Sequence, residues 1–365
     1  NNIGKPKKAL TWGFMALDMA RTTQGDSHPL TAHVYSHLGG LYEDMGRIDN
    51  ALACYYQALD ILNHSGRGHR SDRANTHADI GSLYANLGMA DSAVHHFAYA
   101  LADSIPAIHL YHSQVATGLT HLGFDFYEKG DYRQARDFFH LSLMLNEGLA
   151  AHERDHIDLE QCYSSLAMAY SALGQADSAL RYYQRTLDYL RGTTGKDTTR
   201  AFAHFSMGCI HLALEQALPA KAHLDTARAI YRAMPSVDPE NIAHCDEQLA
   251  LALLRLKQPD AAIKLLNEAL SIRTRAHGKR HESVANVHVN LGIAHSNRGD
   301  YDQAVDHLLL AYNMMHKLTR GQDISLVHIS NLLALIYGNK GDQQQAQQWH
   351  ANTQALLHQM QLNKK

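Results

Sequence analysis

The stretch Asn290–Ala304, NLGIAHSNRGDYDQA, decides the fold of this chain. It has the pattern of a helix, a turn centred on Gly299 and the start of a second helix. The same frame returns along the chain, and its closing alanine marks each copy. These marker alanines are Ala9, Ala51, Ala93, Ala135, Ala179, Ala220, Ala262, Ala304 and Ala346. Their spacings are 42, 42, 42, 44, 41, 42, 42 and 42 residues, and a fixed period of this size is the signature of a solenoid.

Each repeat is predicted to contain a first helix (the A helix), a short turn and a second helix (the B helix). Twelve residues before each marker alanine the chain carries only Gly or Ala, where two helices can approach closely because the side chain is minimal. These residues are Gly39, Gly81, Gly123, Ala167, Gly208, Ala250, Gly292 and Ala334. Aromatic residues recur nine before and four after the marker, as in Tyr42 and Tyr55. Rows with this spacing are typical of a core.

The turn between the two helices carries Gly five residues before most of the marker alanines. Glu215 and Lys257 replace it in repeats six and seven. A positive φ at this place is costly for any residue with a side chain. We therefore expect local backbone strain at these two positions.

The whole chain, 1–365, is predicted to form a single array of about nine repeats, because a repeat array is one continuous stack. Repeat six is the least regular copy, with Pro219 next to its marker alanine. Pro235 and Pro239 interrupt the loop that follows. We expect any bend in the array at about 217–240.

The first repeat is expected to lack its A helix. Gly4 lies five residues before Ala9, in the place of the turn glycine, so the chain starts at the turn. Trp12, Phe14 and Met15 on the following helix then lack part of their packing surface, and further sequence is expected upstream.

Composition excludes several classes of function. Lys+Arg 33 against Asp+Glu 36 leaves a net charge of -3 with no basic block, which argues against a nucleic-acid partner because phosphate binding needs clustered cations. No apolar run is long enough to cross a membrane. The cysteines are scattered without a CxxC pair, which predicts free thiols and a cytoplasmic protein. They are Cys54, Cys162, Cys209 and Cys245.

The order of Gly or Ala, an aromatic residue three later, Gly seven later and Ala twelve later resembles the tetratricopeptide repeat (TPR). The longer period is similar to that of the variant found in kinesin light chains. The loops Gly25–Leu30 and Gly278–Ser283 resemble that variant's Gly-x-Asp-His-Pro loop, although only the first keeps both Asp and Pro. The resemblance covers essentially the whole chain.

This resemblance implies an all-α, right-handed superhelix whose concave groove is lined by the A helices. Such a groove binds a protein or peptide segment without catalysis, cofactor, metal or small-molecule substrate. The groove positions implied for this chain are His33, His37, Asn75, Asn86, Phe124, Tyr127, Phe202, Phe205, Leu212, His244, Glu247, Leu251, Leu254, Arg255, Asn286, Asn290, Asn297, His328, Asn331 and Asn339. The alternative is a sensing or regulatory arm of a larger protein whose effector domain lies outside this sequence.

Two features of these positions carry physical meaning. A row of Asn side chains offers donors and acceptors together, so it can pair with the backbone of an extended peptide whatever its sequence. Phe202, Phe205, Leu251 and Leu254 are expected to form an exposed apolar patch, which usually marks an interaction site.

One stretch matches the HExxH pattern of zinc hydrolases, His152 to His156. The repeat argues against a zinc site, because His156 lies 23 residues before its marker alanine, as His28 and His281 do. It therefore holds a recurring loop position near the start of an A helix. A zinc enzyme remains a third class of function, and it depends on these two histidines.

His33 and His37 lie one helical turn apart and together form a second candidate metal site. The simpler interpretation is that both are polar residues of the groove in a chain with 27 histidines.

Histidines also recur at places expected to be buried. His77, His204 and His288 lie 16 residues before their marker alanines, and His211 and His295 occupy the aromatic core place. Burial disfavours the charged imidazole, so the folded pKa falls and stability is lost on acidification. We expect the array to loosen below about pH 5.5, near where exposed histidines also charge.

Overall fold

The computed structural model describes residues 4–103, 110–148 and 159–362. Within these residues all regular structure is helical, with a short 3-10 turn at Arg67–His69. The helices of this part of the chain are α1 Gly4–Gln24, α2 Pro29–Asp44, α3 Ile48–His64, α4 Arg70–Asn86, α5 Ala90–Asp103, α6 Leu110–Glu128, α7 Tyr132–Gly148, α8 Leu159–Ala172, α9 Ala176–Tyr189, α10 Asp197–Ala213, α11 Ala217–Ala233, α12 Pro239–Arg255, α13 Pro259–His277, α14 Glu282–Arg298, α15 Tyr301–Thr319, α16 Ile324–Lys340 and α17 Gln343–Leu362. The predicted all-α solenoid of helical hairpins is confirmed.

From α2 onward the even-numbered helices are A helices and the odd-numbered helices are B helices, and each A helix packs most closely on the B helix that follows it. The chain divides into two compact units, unit 1 at Asn1–Tyr189 and unit 2 at Leu190–Lys365. Helix α1 takes the place of a B helix, and it starts at Gly4 itself, so the interpretation of Gly4 as a turn residue is wrong.

The close approach of A and B helices rests on the predicted row of small residues. A Cβ atom added to Gly81 would lie 2.6 Å from two ring carbons of Phe97, and this ring is only 2% exposed. At Gly123 the same test places the Cβ 2.4 Å from the ring of Phe139. The small residues of the A helix therefore pack directly against the large side chains that lie four residues after each marker alanine on the B helix. Such close contact is typical of a densely packed protein interior.

The A–B turns confirm the predicted strain. Gly46 and Gly299 have φ of 68° and 91°, in the left-handed region that glycine tolerates. Glu215 and Lys257 occupy the equivalent places with φ of 61° and 58°. The period of the array thus imposes a left-handed residue even where the sequence offers no glycine.

Replacing Lys257 by Gly is expected to raise the free energy of unfolding of unit 2 by about 0.5–1 kcal/mol. The left-handed conformation costs a residue with a side chain roughly 1–2 kcal/mol, and the greater freedom of glycine in the unfolded chain offsets part of the gain. Urea unfolding followed by Trp349 fluorescence in a Trp12→Phe background measures this. The control is Gln258→Gly, where φ is -117° and glycine should destabilise. Equal losses at both positions would refute the strain argument.

Candidate peptide-binding surfaces

The groove residues implied by the repeat all lie on A helices, and 18 of the 20 keep part of their surface accessible. The exposed residues are His33, His37, Asn86, Phe202, His244, Arg255, Asn286, Asn297, His328, Asn331 and Asn339. The half-buried residues are Asn75, Phe124, Tyr127, Phe205, Glu247, Leu251 and Asn290. Only Leu212 and Leu254 are buried, at 7% and 9% exposure.

A cavity of about 460 Å³ opens on the A helices of unit 2, and we call it the apolar pocket. Helices α10, α12 and α14 each contribute to its lining. Its apolar residues include Leu212, Leu251, Leu254 and Ile293. The two buried groove residues therefore belong to the wall of a cavity, where a ligand side chain would contact them without exposing them first.

The apolar patch predicted from four residues is smaller in the structure than expected. Phe202 is exposed at 36%, whereas Phe205 and Leu251 are half-buried and pack against the hydrophobic core of unit 2. Leu254 belongs to that core. Of these four residues only Phe202 is exposed, while Leu251 and Leu254 form part of the wall of the apolar pocket.

Polar groups flank the apolar pocket. Arg255 and Asn297 line it, and the Arg255 guanidinium donates a hydrogen bond to the carbonyl oxygen of Leu212 at 3.0 Å. Asn286, Asn290 and Asn297 occupy one A helix, α14. Such amides offer both a donor and an acceptor to the backbone of an extended peptide.

Two further groove residues are fixed by a buried cation from a B helix. Arg273 on α13 is 6% exposed and donates to the Glu247 carboxylate at 2.9 Å and to His244 Nδ1 at 3.2 Å. It also pairs with Glu240. Burial raises the pKa of Glu247, while the Arg273 charge opposes that shift. For His244, burial is the main cause of a lowered pKa and Arg273 adds to it.

Unit 1 holds a second cavity of about 560 Å³, which we call the acidic pocket. Its lining comes mainly from α2 and α4 and includes Asp44, Asp72, Asn75 and Asp79, together with Tyr55 from α3. The Ser36 hydroxyl on α2 lies 3.2 Å from the Thr76 hydroxyl on α4. The acidic pocket is therefore lined mainly, but not entirely, by residues of A helices.

Carboxylates surround the Tyr55 hydroxyl, which donates to Glu43 Oε2 at 3.0 Å. Burial raises the pKa of Tyr55, and the charges of Asp79, Glu43 and Asp44 raise it further. Burial, assisted by Glu43, also raises the pKa of Asp79 to about 6. The pocket thus concentrates negative charge at a place with restricted access to water.

Of the two candidate metal sites, the structure describes the one at His33 and His37 only. His33 Nε2 lies 3.5 Å from the Asp72 carboxylate, across the acidic pocket. Among the described residues no group of three suitable side chains is placed to hold a metal ion. His152 and His156 lie outside the described residues.

The recurring place of His156 has a structural explanation in other repeats. His28 Nδ1 accepts a hydrogen bond from the Leu30 amide at 3.2 Å, and His281 Nδ1 accepts one from the Ser283 amide at 3.2 Å. Asp323 caps α16 in the same way through the Ser325 amide, at 2.7 Å. In these three repeats the place is the N-cap of the A helix, where an acceptor satisfies a free backbone amide.

Cys54, Cys209 and Cys245 are free thiols, as predicted. Burial raises the pKa of Cys209 to about 11 and that of Cys245 to about 12. Since the thiolate is the nucleophile, these pKa values keep both groups in the less reactive thiol form at neutral pH.

Histidines form a feature whose full extent the sequence did not reveal. In three repeats the residue 16 before the marker alanine meets a histidine three after it, with Nδ1 atoms 3.0 Å apart. The pairs are His77–His96, His204–His223 and His288–His307. In repeats six and eight a third ring stacks on the pair, His211 on His223 and His295 on His307. We call these two groups the imidazole clusters.

The described helices and the repeated hairpins define an α-solenoid, and two pockets open mainly on its A helices. The model of the tetratricopeptide repeat family matches residues 2–64, 32–103, 114–192 and 241–317, more than half of the chain. The chain belongs to the tetratricopeptide repeat family, whose repeats generally mediate protein–protein interaction. No curated protein matches the sequence.

Two solved structures with TM-scores above 0.5, at low identity, show the same fold. The apo form of RapI aligns over 78% of this chain and 76% of its own, with 13% identity and a TM-score of 0.54. The C-terminal part of a TPR repeat-containing protein from Cytophaga hutchinsonii covers 76% of this chain and 95% of its own, with 14% identity and a TM-score of 0.52. A putative kinesin light chain with nearly identical TPR-like repeats from Podosopora anserina covers 57% and 98%, with 19% identity and a TM-score of 0.49.

None of the helices in the described part of the chain combines the length and apolar character needed to cross a bilayer.

Proposed function

We propose that this protein binds an extended segment of a partner protein along its A helices and performs no chemistry on it. The observation that carries the proposal is the apolar pocket, which is lined entirely by residues of three successive A helices. A concave apolar cavity with a few polar groups at its edge is the usual form of a binding site.

The partner segment would insert one apolar side chain between Leu251 and Ile293. Its backbone would then run past Asn297 and Asn290, whose amides pair with peptide groups irrespective of sequence. Contacts between the pocket and the apolar side chain of the partner would determine specificity. Hydrogen bonds from the asparagine amides would hold the partner backbone in an extended conformation. This division of roles suits a protein that recognises a linear segment.

The test uses the full chain as bait for a random 15-residue peptide library displayed on phage. We expect enriched peptides with an apolar residue at one fixed position. Leu251→Asp should weaken their binding roughly 10- to 100-fold, because it places a charge in a desolvated apolar cavity. Fluorescence anisotropy with labelled peptides measures the affinity.

The matched control is Leu218→Asp, which introduces the same charge on B helix α11, where Leu218 is 70% exposed. This variant should bind like the wild type. Circular dichroism melting shows whether Leu251→Asp remains folded, and Ala replacing the apolar residue of the peptide tests the pocket without altering the protein. A library that yields no enriched peptide, or equal loss in both variants, would refute the proposal.

A further inference from the structure

Both imidazole clusters lie on helices that form the apolar pocket. His204 and His211 are on α10, and His288 and His295 are on α14. These two helices are the first and the third of the three successive A helices that line the pocket. The positions of two pocket walls therefore depend on the contacts that the clusters make.

Each cluster joins an A helix to the B helix that follows it. The Nδ1 atom of His204 on α10 lies 3.0 Å from that of His223 on α11, and the His211 ring stacks on His223 with centroids 5.5 Å apart. The cluster of α14 and α15 repeats this arrangement, with 3.0 Å between the Nδ1 atoms of His288 and His307. In each hairpin two rings of the A helix thus hold one ring of the B helix.

The middle wall of the pocket, α12, is held without imidazoles at these places. The cluster places of its repeat are occupied by Asp246, Leu253 and Leu265. Both leucines belong to the core of unit 2, and the Asp246 carboxylate is ion-paired with Arg228 of α11. Charging the cluster rings therefore acts on α10 and α14 and leaves the packing of α12 on α13 unchanged.

The described residues that line the pocket include no group that changes charge between pH 7.5 and pH 5. The ionisable residues among them are Cys209 and Arg255. Burial raises the pKa of Cys209 to about 11, and a guanidinium keeps its proton throughout. A pH dependence of binding must therefore arise in the ligand or in groups outside the lining.

Charge on the rings is disfavoured within the clusters. Burial, followed by the charges of His204 and His211, lowers the pKa of His223 to about 4. Burial and the two histidines of α14 lower the pKa of His307 to about 4 as well, and Asp306 opposes that shift. When two facing rings are charged, both Nδ1 atoms carry a proton, so the hydrogen bond is lost and the cations repel each other.

Other charged groups lie on these hairpins and on the helices packed against them. Their ion pairs are Lys221–Asp225, Arg228–Asp246, Arg228–Glu268, Arg298–Asp260, Arg298–Asp300 and Lys340–Asp302. Arg298 and Asp300 also contact His295 and shift its pKa in opposite directions. This pair therefore brings no net charge to the ring.

Groups on the neighbouring A helices have shifted pKa values too. On α12, burial lowers the pKa of His244 and raises those of Asp246 and Glu247. On α16, burial raises the pKa of Tyr337, so this phenol stays neutral. Variants of the cluster histidines are therefore needed to separate their titration from that of α12.

We propose that the two imidazole clusters form a proton-sensitive latch on the apolar pocket, which keeps α10 and α14 in place at neutral pH and releases a bound segment on acidification. This regulation rests on the proposed function, because it acts on the same pocket. Neutral rings hold each A helix against its B helix, whereas charged rings separate the two helices and displace the wall that carries Leu212 or Ile293. Since the segment binds the latched form only, its affinity falls with the fraction of molecules that remain latched.

The direction of the pH dependence follows from the neutral form of the rings. In the latched state the pKa of His223 and of His307 lies at about 4, and separated, hydrated rings return towards about 6.5. Protons therefore favour the open state below about pH 6.5. Affinity should be constant above that pH and should decrease as pH falls towards 4.

The experiment measures the affinity of the full chain for a peptide enriched from the 15-residue library, at pH 7.5 and at pH 5. The peptide contains no Asp, Glu or His, has blocked termini and carries a rhodamine label, so its own charge is constant. We expect binding to weaken roughly 5- to 30-fold at pH 5. Circular dichroism should show a helical chain at pH 5, and loss of helicity there would overturn the latch because release would follow from unfolding.

The decisive variant is His223→Phe/His307→Phe, which removes the B-helix ring of both clusters. Phe138 and Tyr182 hold this place in repeats four and five, so the hairpins should keep their fold. The variant should bind like the wild type at pH 7.5 and should lose less than about twofold at pH 5. The control His350→Phe replaces an exposed ring outside both clusters and should keep the full loss.

Hydrogen exchange of the wild type tests the latch without any substitution, so it stays decisive if the double variant fails to fold. Protection factors in α11 and α15, corrected for intrinsic rates, should fall roughly fivefold or more between pH 7.5 and pH 5. Those in α13, whose hairpin has no cluster, should change less than about twofold. An equal fall in all three B helices would overturn the latch.

The outcomes distinguish the latch from the proposed function. Equal affinity of the wild type at the two pH values, tighter binding in acid, or an unchanged loss in the double variant would overturn the latch and leave peptide binding intact. If no peptide is enriched at all, the proposed function is refuted and the regulation of binding with it.

Discussion

Replacing Gly81 by Ala is expected to lower the free energy of unfolding of unit 1 by about 2–3 kcal/mol. The new Cβ would lie 2.6 Å from two ring carbons of Phe97, a ring that is 2% exposed and belongs to the core. Neither the ring nor the backbone of α4 can move without disturbing other contacts, and overpacking of this kind costs roughly 1–3 kcal/mol. Urea unfolding followed by circular dichroism measures the loss.

The matched control is Gly338→Ala on α16, where nothing lies within 4 Å of the added Cβ. Alanine in a helix is favoured over glycine by roughly 0.5–1 kcal/mol, so this variant should gain stability. In a Phe97→Ala background, which itself costs about 3–5 kcal/mol, Gly81→Ala should no longer destabilise. A loss that persists in that background would show that the contact with Phe97 is not the cause.

Acidification is expected to destabilise unit 2 by on the order of 1 kcal/mol for each imidazole cluster between pH 7.5 and pH 5. Burial, followed by the charges of neighbouring histidines, lowers the pKa of His223 and of His307 to about 4. The unfolded value is about 6.5. The stability is therefore fully present above pH 6.5 and is lost as pH falls from there towards 4. The magnitude already allows for the partial exposure of both rings.

The hydrogen bond within each pair explains the direction of this effect. Between His204 and His223 the Nδ1 atoms lie 3.0 Å apart, so one must donate and the other accept. When both rings are charged, both atoms carry a proton, the hydrogen bond is lost and the two cations repel each other. Burial of Glu247 and Asp246 raises their pKa values and acts in the opposite direction, so variants are needed to isolate the histidines.

The variant is His223→Phe/His307→Phe, because Phe138 and Tyr182 hold the same place in repeats four and five. It should flatten the loss of stability between pH 7.5 and pH 5, whatever its stability at neutral pH. Trp349 fluorescence in a Trp12→Phe background follows unit 2 alone. The control His350→Phe changes an exposed ring and should keep the wild-type slope. An unchanged slope in the double variant would exclude the clusters as the source.

Most of the fold could be predicted from the 42-residue period of the sequence. Glu215 and Lys257 had to adopt a positive φ because the hairpin geometry repeats, and both do so. The small residues on the A helix had to face a large residue on the B helix, and Gly81 meets Phe97. These inferences succeed because they depend on contacts within one repeat, which a fixed spacing reproduces.

Polar contacts between A and B helices were harder to predict from the sequence. The histidines located 16 and nine residues before the marker alanine indicated buried imidazoles. The histidines located three residues after it, which pair with them, were not predicted. The signal was available, since His96, His223 and His307 fall in one column. The hydrogen bond requires that the two columns face each other, and spacing along one helix does not show this.

The burial of groove residues depends on neighbouring repeats, which a single repeat pattern does not specify. Leu254 was expected on an exposed patch, yet the core of unit 2 covers most of it. Arg273 fixes Glu247 and His244 from a B helix, although its position in the repeat gives no sign of this. The acidic pocket likewise depends on Tyr55 and on three carboxylates from two A helices meeting in one place.

The central claim, that partners bind on the A helices, is tested most directly by photo-crosslinking. A peptide enriched on the full chain would carry benzoylphenylalanine at its fixed apolar position, and mass spectrometry would identify the residues to which it attaches in unit 2. We expect attachment to α10, α12 and α14, beside Leu251 and Ile293. Attachment to the B helices α11, α13 and α15 would contradict the account.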